Sequence, residues 1–439
     1  MIPVVEVAGA RVFLGDCREV LKHLPDNSVD SVVTDPPYEL GFMGKKWDSS
    51  GVAYDVTVWQ ECLRVLKPGG HILAFGGSRT WHRLAVAVED AGFELRDSIA
   101  WLYGSGFPKS LDVSKAIDKK AGAEREVVGY NQKINVYSDR HAFGESQVGE
   151  PYGKSPITSA ATSEAKAWEG WGTALKPAFE PVVVGRKPLV GTVAENVLEW
   201  GVGGLNIDGS RIGTQGGTKI AEQDIEASRE SKSVNAYGNG IQGPFGKPVE
   251  GLGRWPANVI LDEVSAGLLD EQSGVSKSPA PYVQASKNVG IYGAEKHHDR
   301  PSTHHGDSGG ASRFFYVAKA SKRDRNEGLE DLEAVRHADR TKDDGAGGEN
   351  PRNRTNQARQ NFHPTVKPTQ LMRYLIKLVT PAGGVVLDPF TGSGSTGKAA
   401  LVDGFQFVGA ELTEEYLPII EGRLRWASEQ EAETDDTLF

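Results

Sequence analysis

Apolar and polar positions change rhythm along this chain in three zones. From the start to about Gly106, short β-rich runs at Arg11–Asp16, Ser31–Asp35, His71–Gly77 and Ser98–Tyr103 alternate with helically spaced stretches at Val56–Leu66 and Arg83–Ala91. Each helical stretch is closed by a glycine within a few residues, a common helix stop. Such alternation predicts a parallel sheet with helices on both faces. A second patterned zone opens near His363. Thr369–Val379 carries the apolar rhythm of a helix directly after Pro368, and Val385–Leu387 reads as a buried strand. A glycine-rich loop, a helix over Gly397–Asp403, a strand at Gln406–Glu411 and an amphipathic helix over Glu414–Trp426 follow.

The zone between is different. Residues 125–165 and 207–362 are rich in Gly, Ser, Asn and charge, and predict loop-rich insertions. Islands of order are expected at Gly253–Asp262 and Arg313–Lys319, and Ala178–Lys187, apolar over Pro181–Gly185, reads as a further strand of the first zone. The organisation expected is a core from 1–124, 166–206 and 363–428, insertions at 125–165 and 207–362, and an acidic tail at 429–439. No internal repeat is present.

The formal net charge of −10 argues mildly against a nucleic-acid partner. Binding depends on where basic groups lie, however, and Lys319, Lys322, Arg323 and Arg325 cluster, as do Arg352, Arg354 and Arg359. The acidic tail is expected to inflate the total without touching such a face. Two cysteines, Cys17 and Cys62, cannot build a disulfide framework or a four-sulfur zinc site. No apolar run approaches the roughly 18–20 residues of a membrane span, and the first residues do not pattern as a signal peptide. A cytoplasmic setting without membrane contact is expected. His297, His298, His304 and His305 lie in a polar Gly/Ser-rich stretch, and no metal site is expected there.

Asp35-Pro36-Pro37-Tyr38 directly follows the strand Ser31–Thr34. Residues just past the end of a parallel strand face the ligand crevice. The prolines fix the backbone and offer no N–H, so their carbonyls can point at a ligand. A carboxylate and a carbonyl together can accept both N–H bonds of an exocyclic amine, which frees its lone pair for attack. Tyr38 can stack on the base, worth about 1–3 kcal/mol. In isolation the tetrapeptide could equally be a polar turn.

A second signal is Val385-Val386-Leu387-Asp388-Pro389-Phe390-Thr391-Gly392-Ser393-Gly394-Ser395-Thr396: strand, acid, glycine-rich loop, helix. It suits the amino-acid end of S-adenosylmethionine, with Asp388 near the ammonium. Glu411, at the tip of the next strand and about 20 residues on, is placed to bind two ribose hydroxyls. A rival exists, because Gly392 to Ala399 nearly spells a phosphate loop. It lacks the final hydroxyl that would hold magnesium, since Ala399 stands there.

Together these segments resemble the β-group of DNA amino-methyltransferases, including phage and prophage members. The resemblance rests on Leu14-Gly15-Asp16-Cys17, Leu24–Asp30, Asp35–Tyr38, Arg64–Gly70, Lys176–Leu189, Phe315–Leu329, His363–Pro368 and Asp388–Thr396. It implies an α/β fold, a Rossmann-like seven-stranded sheet in circularly permuted order, with 207–362 as a loop-rich target-recognition insertion. Val385–Leu387 would be the first strand of the unpermuted fold, Phe407–Glu411 the second, Arg11–Asp16 the third, and Asp35 would follow the fourth. The implied cofactor is S-adenosylmethionine. Asp35, Pro36, Pro37 and Tyr38 are the implied catalytic residues. Asp16, Cys17, Lys367, Asp388, Pro389, Phe390, Gly392, Gly394, Thr396 and Glu411 are the implied cofactor-site residues. Double-stranded DNA is the implied partner; a homodimer and a cognate restriction enzyme stay open. Asp at position 35 favours N6 of adenine over N4 of cytosine. Neither cysteine has the Pro-Cys setting of a C5-cytosine enzyme, which needs a thiolate nucleophile. A DNA-binding regulator without catalysis, and an RNA or small-molecule methyltransferase, are the competing readings.

Overall fold

The computed structural model describes residues 2–40, 46–106, 110–131, 155–213, 253–277, 283–289, 295–301, 307–319, 323–335 and 359–430. Lys322, Arg352, Arg354, His304, His305 and the tail from 431 lie outside them. His297 and His298 are described only as backbone, in a strand over Glu295–Pro301. The chain divides into two compact units, one of Met1–Gly104, Phe179–Leu332 and His363–Phe439, the other of Ser105–Ala178 and Glu333–Phe362.

The first unit holds the site. Ten strands among its described residues form one sheet: β1 (Val5–Val7), β2 (Ala10–Leu14), β3 (Val29–Thr34), β4 (Leu66–Phe75), β5 (Glu94–Leu102), β6 (Phe179–Arg186), β7 (Val259–Asp262), β8 (Tyr316–Ala318), β9 (Val385–Asp388) and β10 (Gln406–Glu411). Their order across the sheet is β1-β2-β10-β9-β3-β4-β6-β5-β7-β8. The sheet is thus wider than the seven strands expected. The islands read from sequence inside 207–362 supply β7 and β8, which pair in parallel and extend the edge at β5. Pairing is parallel from β2 through β4. It is broken by β6, antiparallel to both its neighbours, and by β1 at the edge.

The last two strands among the described residues, β9 and β10, lie between β2 and β3 from the start of the chain. The physical reason is visible in composition. Val29–Thr34 and Val385–Asp388 are short, β-branched and almost wholly buried, as strands covered on both faces must be. Helices α1 (Val56–Val65), α2 (Trp81–Asp90), α5 (Thr369–Val379), α6 (Ser395–Val402) and α7 (Leu417–Glu429) accompany the core strands. Two helices that the sequence reading did not mark, α3 (Val193–Trp200) and α4 (Glu263–Ser273), open on capping boxes at Thr192 and Asp262. One contiguous core joins Val32 on β3, Ile72 on β4, Leu387 on β9 and Val408 on β10 to Val58, Trp59 and Cys62 of α1. Among the described residues no helix is long and apolar enough to cross a membrane.

The second unit contains a helix over Val113–Ala121 and an antiparallel pair, Val127–Asn131 with Ser155–Thr158. Its centre is the buried carboxylate of Asp118, which accepts from Arg125 at 2.6 Å and from the backbone of Ala161 and Thr162.

Candidate active site

Strand β3 is buried along its whole length and delivers Asp35 at its C-terminal end. Asp35 Oδ2 accepts a hydrogen bond from Lys367 Nζ at 2.7 Å. The other oxygen, Oδ1, is buried and has no protein partner. Lys367 Nζ also donates to the Tyr38 hydroxyl at 3.2 Å and lies 3.3 Å from Glu180 Oε2. The Tyr38 hydroxyl donates in turn to Glu180 Oε2 at 2.8 Å. Thr80 Oγ1 anchors the motif from behind by donating to the Tyr38 carbonyl at 2.9 Å. Lys367 is buried against the rings of Tyr38 and Phe75, its ammonium 5.4 and 4.9 Å from their centroids.

The charges follow from this packing. Burial works against the Lys367 ammonium, but the Asp35 and Glu180 carboxylates outweigh it and lift its pKa to about 12. Burial, then the charges of Asp35 and Glu180, push the Tyr38 phenol well above its ordinary value. Both groups therefore stay protonated and act as hydrogen-bond donors.

Strand β9 brings the second arm. Asp388 Oδ1 accepts from the Thr34 hydroxyl at 2.6 Å and from the Phe390 N–H at 3.0 Å. Its Oδ2 accepts from the Thr396 hydroxyl at 2.6 Å. Thr34 is the residue before Asp35, so this one carboxylate ties the two motifs together across the β3–β9 pairing. Burial raises the Asp388 pKa to about 6 against the pull of its three donors, and the charge of Asp35 adds to the rise. Pro389 is buried, and Phe390 tilts against Trp59 with ring centroids 6.1 Å apart.

The loop is shaped by glycine. Gly392 has φ +57 and Gly394 φ +72, left-handed values that side chains rarely take. The Gly392 N–H donates to Glu411 Oε2 at 2.7 Å, and Thr413 N–H donates to Oε1 at 2.8 Å. Burial lifts the Glu411 pKa to about 7 despite these two bonds. The Gly15 N–H donates to the Glu411 carbonyl at 2.8 Å, which sets the Asp16–Cys17 turn beside the tip of β10. Asp16 caps the short helix Cys17–Val20 and pairs with Arg18, whose hydrogen bond holds its carboxyl below the usual range. Cys17 is buried, and burial pushes its thiol up to about 12, so it remains a neutral thiol. Among the described residues no group of three or more His, Cys, Asp or Glu could hold a metal.

One contact differs from the sequence reading, and one rival reading loses further ground. Lys367, grouped there with the cofactor loop, makes its contacts with the Asp35 motif. The phosphate-loop rival fails for a reason beyond Ala399: Lys398 is buried and its ammonium is held by Asp324 at 2.7 Å and Glu327 at 2.8 Å. Three contributors were missed. Thr34 is the last residue of β3, and its only signal was its place just before Asp35. Arg423 is fully buried beneath the loop and donates to the Ser393 carbonyl at 2.7 Å. Glu180 lies in the stretch Lys176–Leu189; its signal was a lone acid before Pro181 at the entry to an apolar strand. Because β6 runs against β4, its first residues lie where β4 ends, with Val182 opposite Phe75.

An acid-Pro-Pro-Tyr turn and a glycine loop backed by two buried acids thus meet at the carboxyl ends of the parallel strands β3 and β9. The chain matches the DNA methylase family over residues 29–422 and belongs to it, a family of N6 and N4 amino-methyltransferases. S-adenosylmethionine is the cofactor this membership implies, and the loop fits it: no side chain at Gly392 or Gly394, with buried carboxylates at Asp388 and Glu411 beside them. The DNA adenine methyltransferase YhdJ of Escherichia coli K12 is 42% identical over 71 residues, 16% of this chain and 24% of that protein. The type II methyltransferase M.ScaI of Streptomyces caespitosus is 45% identical over 62 residues, 14% of this chain and 20% of that protein. The chain thus matches about a quarter or less of the length of these two curated relatives. Among solved structures, the cytosine-N4-specific PvuII DNA methyltransferase aligns over 96% of this chain and 88% of its own, with 14% identity and a TM-score of 0.41. The complex of M1.HpyAVI with S-adenosylmethionine aligns over 94% and 98%, with 14% identity and a TM-score of 0.36.

Proposed function

We propose that this protein transfers a methyl group from S-adenosylmethionine to the N6 amine of an adenine flipped out of double-stranded DNA. The observation that carries the reading is the asymmetry of Asp35. One carboxylate oxygen is fixed by Lys367 and the other is buried without a donor. A buried acceptor left empty costs about 1–3 kcal/mol, so the pocket favours a ligand that brings an N–H. An exocyclic amine supplies it, and Tyr38, held by Glu180 and Lys367, offers its ring to the base. The few kcal/mol needed to extrude a base are offset in this way.

S-adenosylmethionine supplies an electrophilic methyl group when bound. Gly392 and Gly394 would let the backbone approach its amino-acid end, and Asp388 holds the loop to Thr34, the neighbour of Asp35. Glu411 would accept from its ribose hydroxyls, while Phe390, Pro389, Thr396 and the Asp16–Cys17 turn would line the rest. The placement of β9 and β10 between β2 and β3 supports the permuted strand order, and residues 207–362 are read as recognising the target sequence. Asp at position 35 and the relative named as a DNA adenine methyltransferase support adenine.

Nucleoside analysis of DNA from cells expressing the chain tests this directly, with N6-methyladenine as the expected product. N4-methylcytosine alone would reassign the substrate base. DNA binding without any methylated product would reassign the protein as a regulator.

A further inference from the structure

Glu180 belongs to neither motif, yet it meets both groups that organise Asp35. It accepts from the Tyr38 hydroxyl at 2.8 Å and stands 3.3 Å from the Lys367 ammonium, which is itself 2.7 Å from Asp35. Lys367 is thus shared between two carboxylates. With Asp35 and Glu180 ionised against one ammonium, the cluster carries one net negative charge. With Lys367 alone beside Asp35, it would carry none.

That difference matters for amine methylation, the reading on which this inference rests. The amine nitrogen forms the N–C bond with its lone pair, and the electrons of the broken S–C bond stay on sulfur as a thioether. Positive charge passes from sulfur to nitrogen, and one proton then leaves the nitrogen through Asp35 to solvent. A fixed net negative charge beside the nitrogen stabilises the charge that develops there and acts only as the bond forms.

We infer that Glu180 is a positioning residue for the transfer step: it keeps Lys367 from fully neutralising Asp35 and leaves the amine pocket net negative. Its carboxylate touches neither motif's backbone, so its effect falls on rate and not on cofactor binding. Glu180→Gln keeps an acceptor for the Tyr38 hydroxyl and removes only the charge.

The test uses the full-length chain, unmethylated duplex DNA and methyl-labelled S-adenosylmethionine, with single-turnover rates, cofactor affinity and melting temperature measured for each variant. Glu180→Gln should slow transfer on the order of 10- to 100-fold with cofactor affinity unchanged. Glu180→Asp, which keeps the charge, should recover most of the rate. The double variant Glu180→Gln with Lys367→Gln restores the net negative charge and should be faster than Glu180→Gln alone. A wild-type rate in Glu180→Gln would overturn the inference, as would a double variant slower than the single one. A loss confined to cofactor affinity or folding would do the same. Wild-type protein that methylates no DNA would overturn the reading of function, and this inference with it.

Discussion

Lys367 Nζ sits 2.7 Å from Asp35 Oδ2, although 332 positions separate the two residues in the chain. The pair joins the Asp35–Tyr38 motif of the first patterned zone to a residue of the second. It also decides which Asp35 oxygen is spent and which is open.

From that relationship comes the first prediction. Asp35→Ala should lower methyl transfer by at least about 100-fold, because the carboxylate acceptor for one of the amine's N–H bonds is lost and only a backbone carbonyl remains. Lys367 keeps Glu180 as a partner, so the pocket should stay folded and cofactor affinity should change little. Labelled-methyl transfer and isothermal titration with S-adenosylmethionine report the two quantities separately. Equal loss of both would show that Asp35 holds the fold and not the amine.

The meeting of Asp35 and Asp388 could be anticipated, because each ends a short buried strand and each is followed by a turn that leaves the sheet. What the sequence hid has physical causes. Strand direction is not written in an apolar run: Pro181–Gly185 looks the same whichever way it lies, and only the antiparallel pairing of β6 brings Glu180 to Tyr38 and Lys367. Lys367 has no partner within its own segment; its two carboxylates come from β6 and from the turn after β3. The segment from Arg323 to Leu332 reads as polar loop, yet Leu329 is buried, and Asp324 and Glu327 close on Lys398. Ion pairs formed across such distances leave no periodic trace.

The two raised acids set a pH dependence for the free protein. Asp388 titrates near 6 and Glu411 near 7, both above the usual carboxylate range because burial disfavours their charge. The folded chain therefore holds protons that the unfolded chain has already released. The stability these groups contribute is fully present below about pH 4 and is lost as pH climbs through their folded values. Melting temperature should accordingly fall between about pH 5 and about pH 8 in the absence of cofactor, and the fall should be shallower in Glu411→Gln. Parallel profiles for wild type and variant would refute the assignment of the slope to Glu411.

Lys398 stands where a phosphate-loop lysine would, so its role can be decided by substitution. It is almost fully buried between Asp324 and Glu327, with its ammonium 4.7 Å from the centre of the Trp426 ring. Lys398→Met would leave two carboxylates without their counter-charge and should cost about 3–5 kcal/mol of stability. Chemical denaturation measures that loss. Nucleoside triphosphates should raise the melting temperature of neither form; a clear rise in wild type that vanishes in the variant would revive the phosphate-loop reading.

Gly392 is the loop residue with the least room to change. Its φ of +57 already disfavours a side chain, and a Cβ there would lie 3.1 Å from Nε2 of the buried His363. Its N–H is also the donor that fixes Glu411 Oε2. Gly392→Ala should cost about 1–2 kcal/mol in backbone strain, with the loop shifting away from His363 to relieve the contact. That shift would misplace both the loop backbone and the Glu411 carboxylate, so cofactor affinity should drop more than global stability does. Gly404→Ala is the matching control: its φ is +74, but a Cβ there meets nothing within 4 Å, so it adds comparable strain away from the loop. Titration with S-adenosylmethionine alongside thermal melting separates the variants. Equal affinities in the two would mean that the loop does not hold the cofactor.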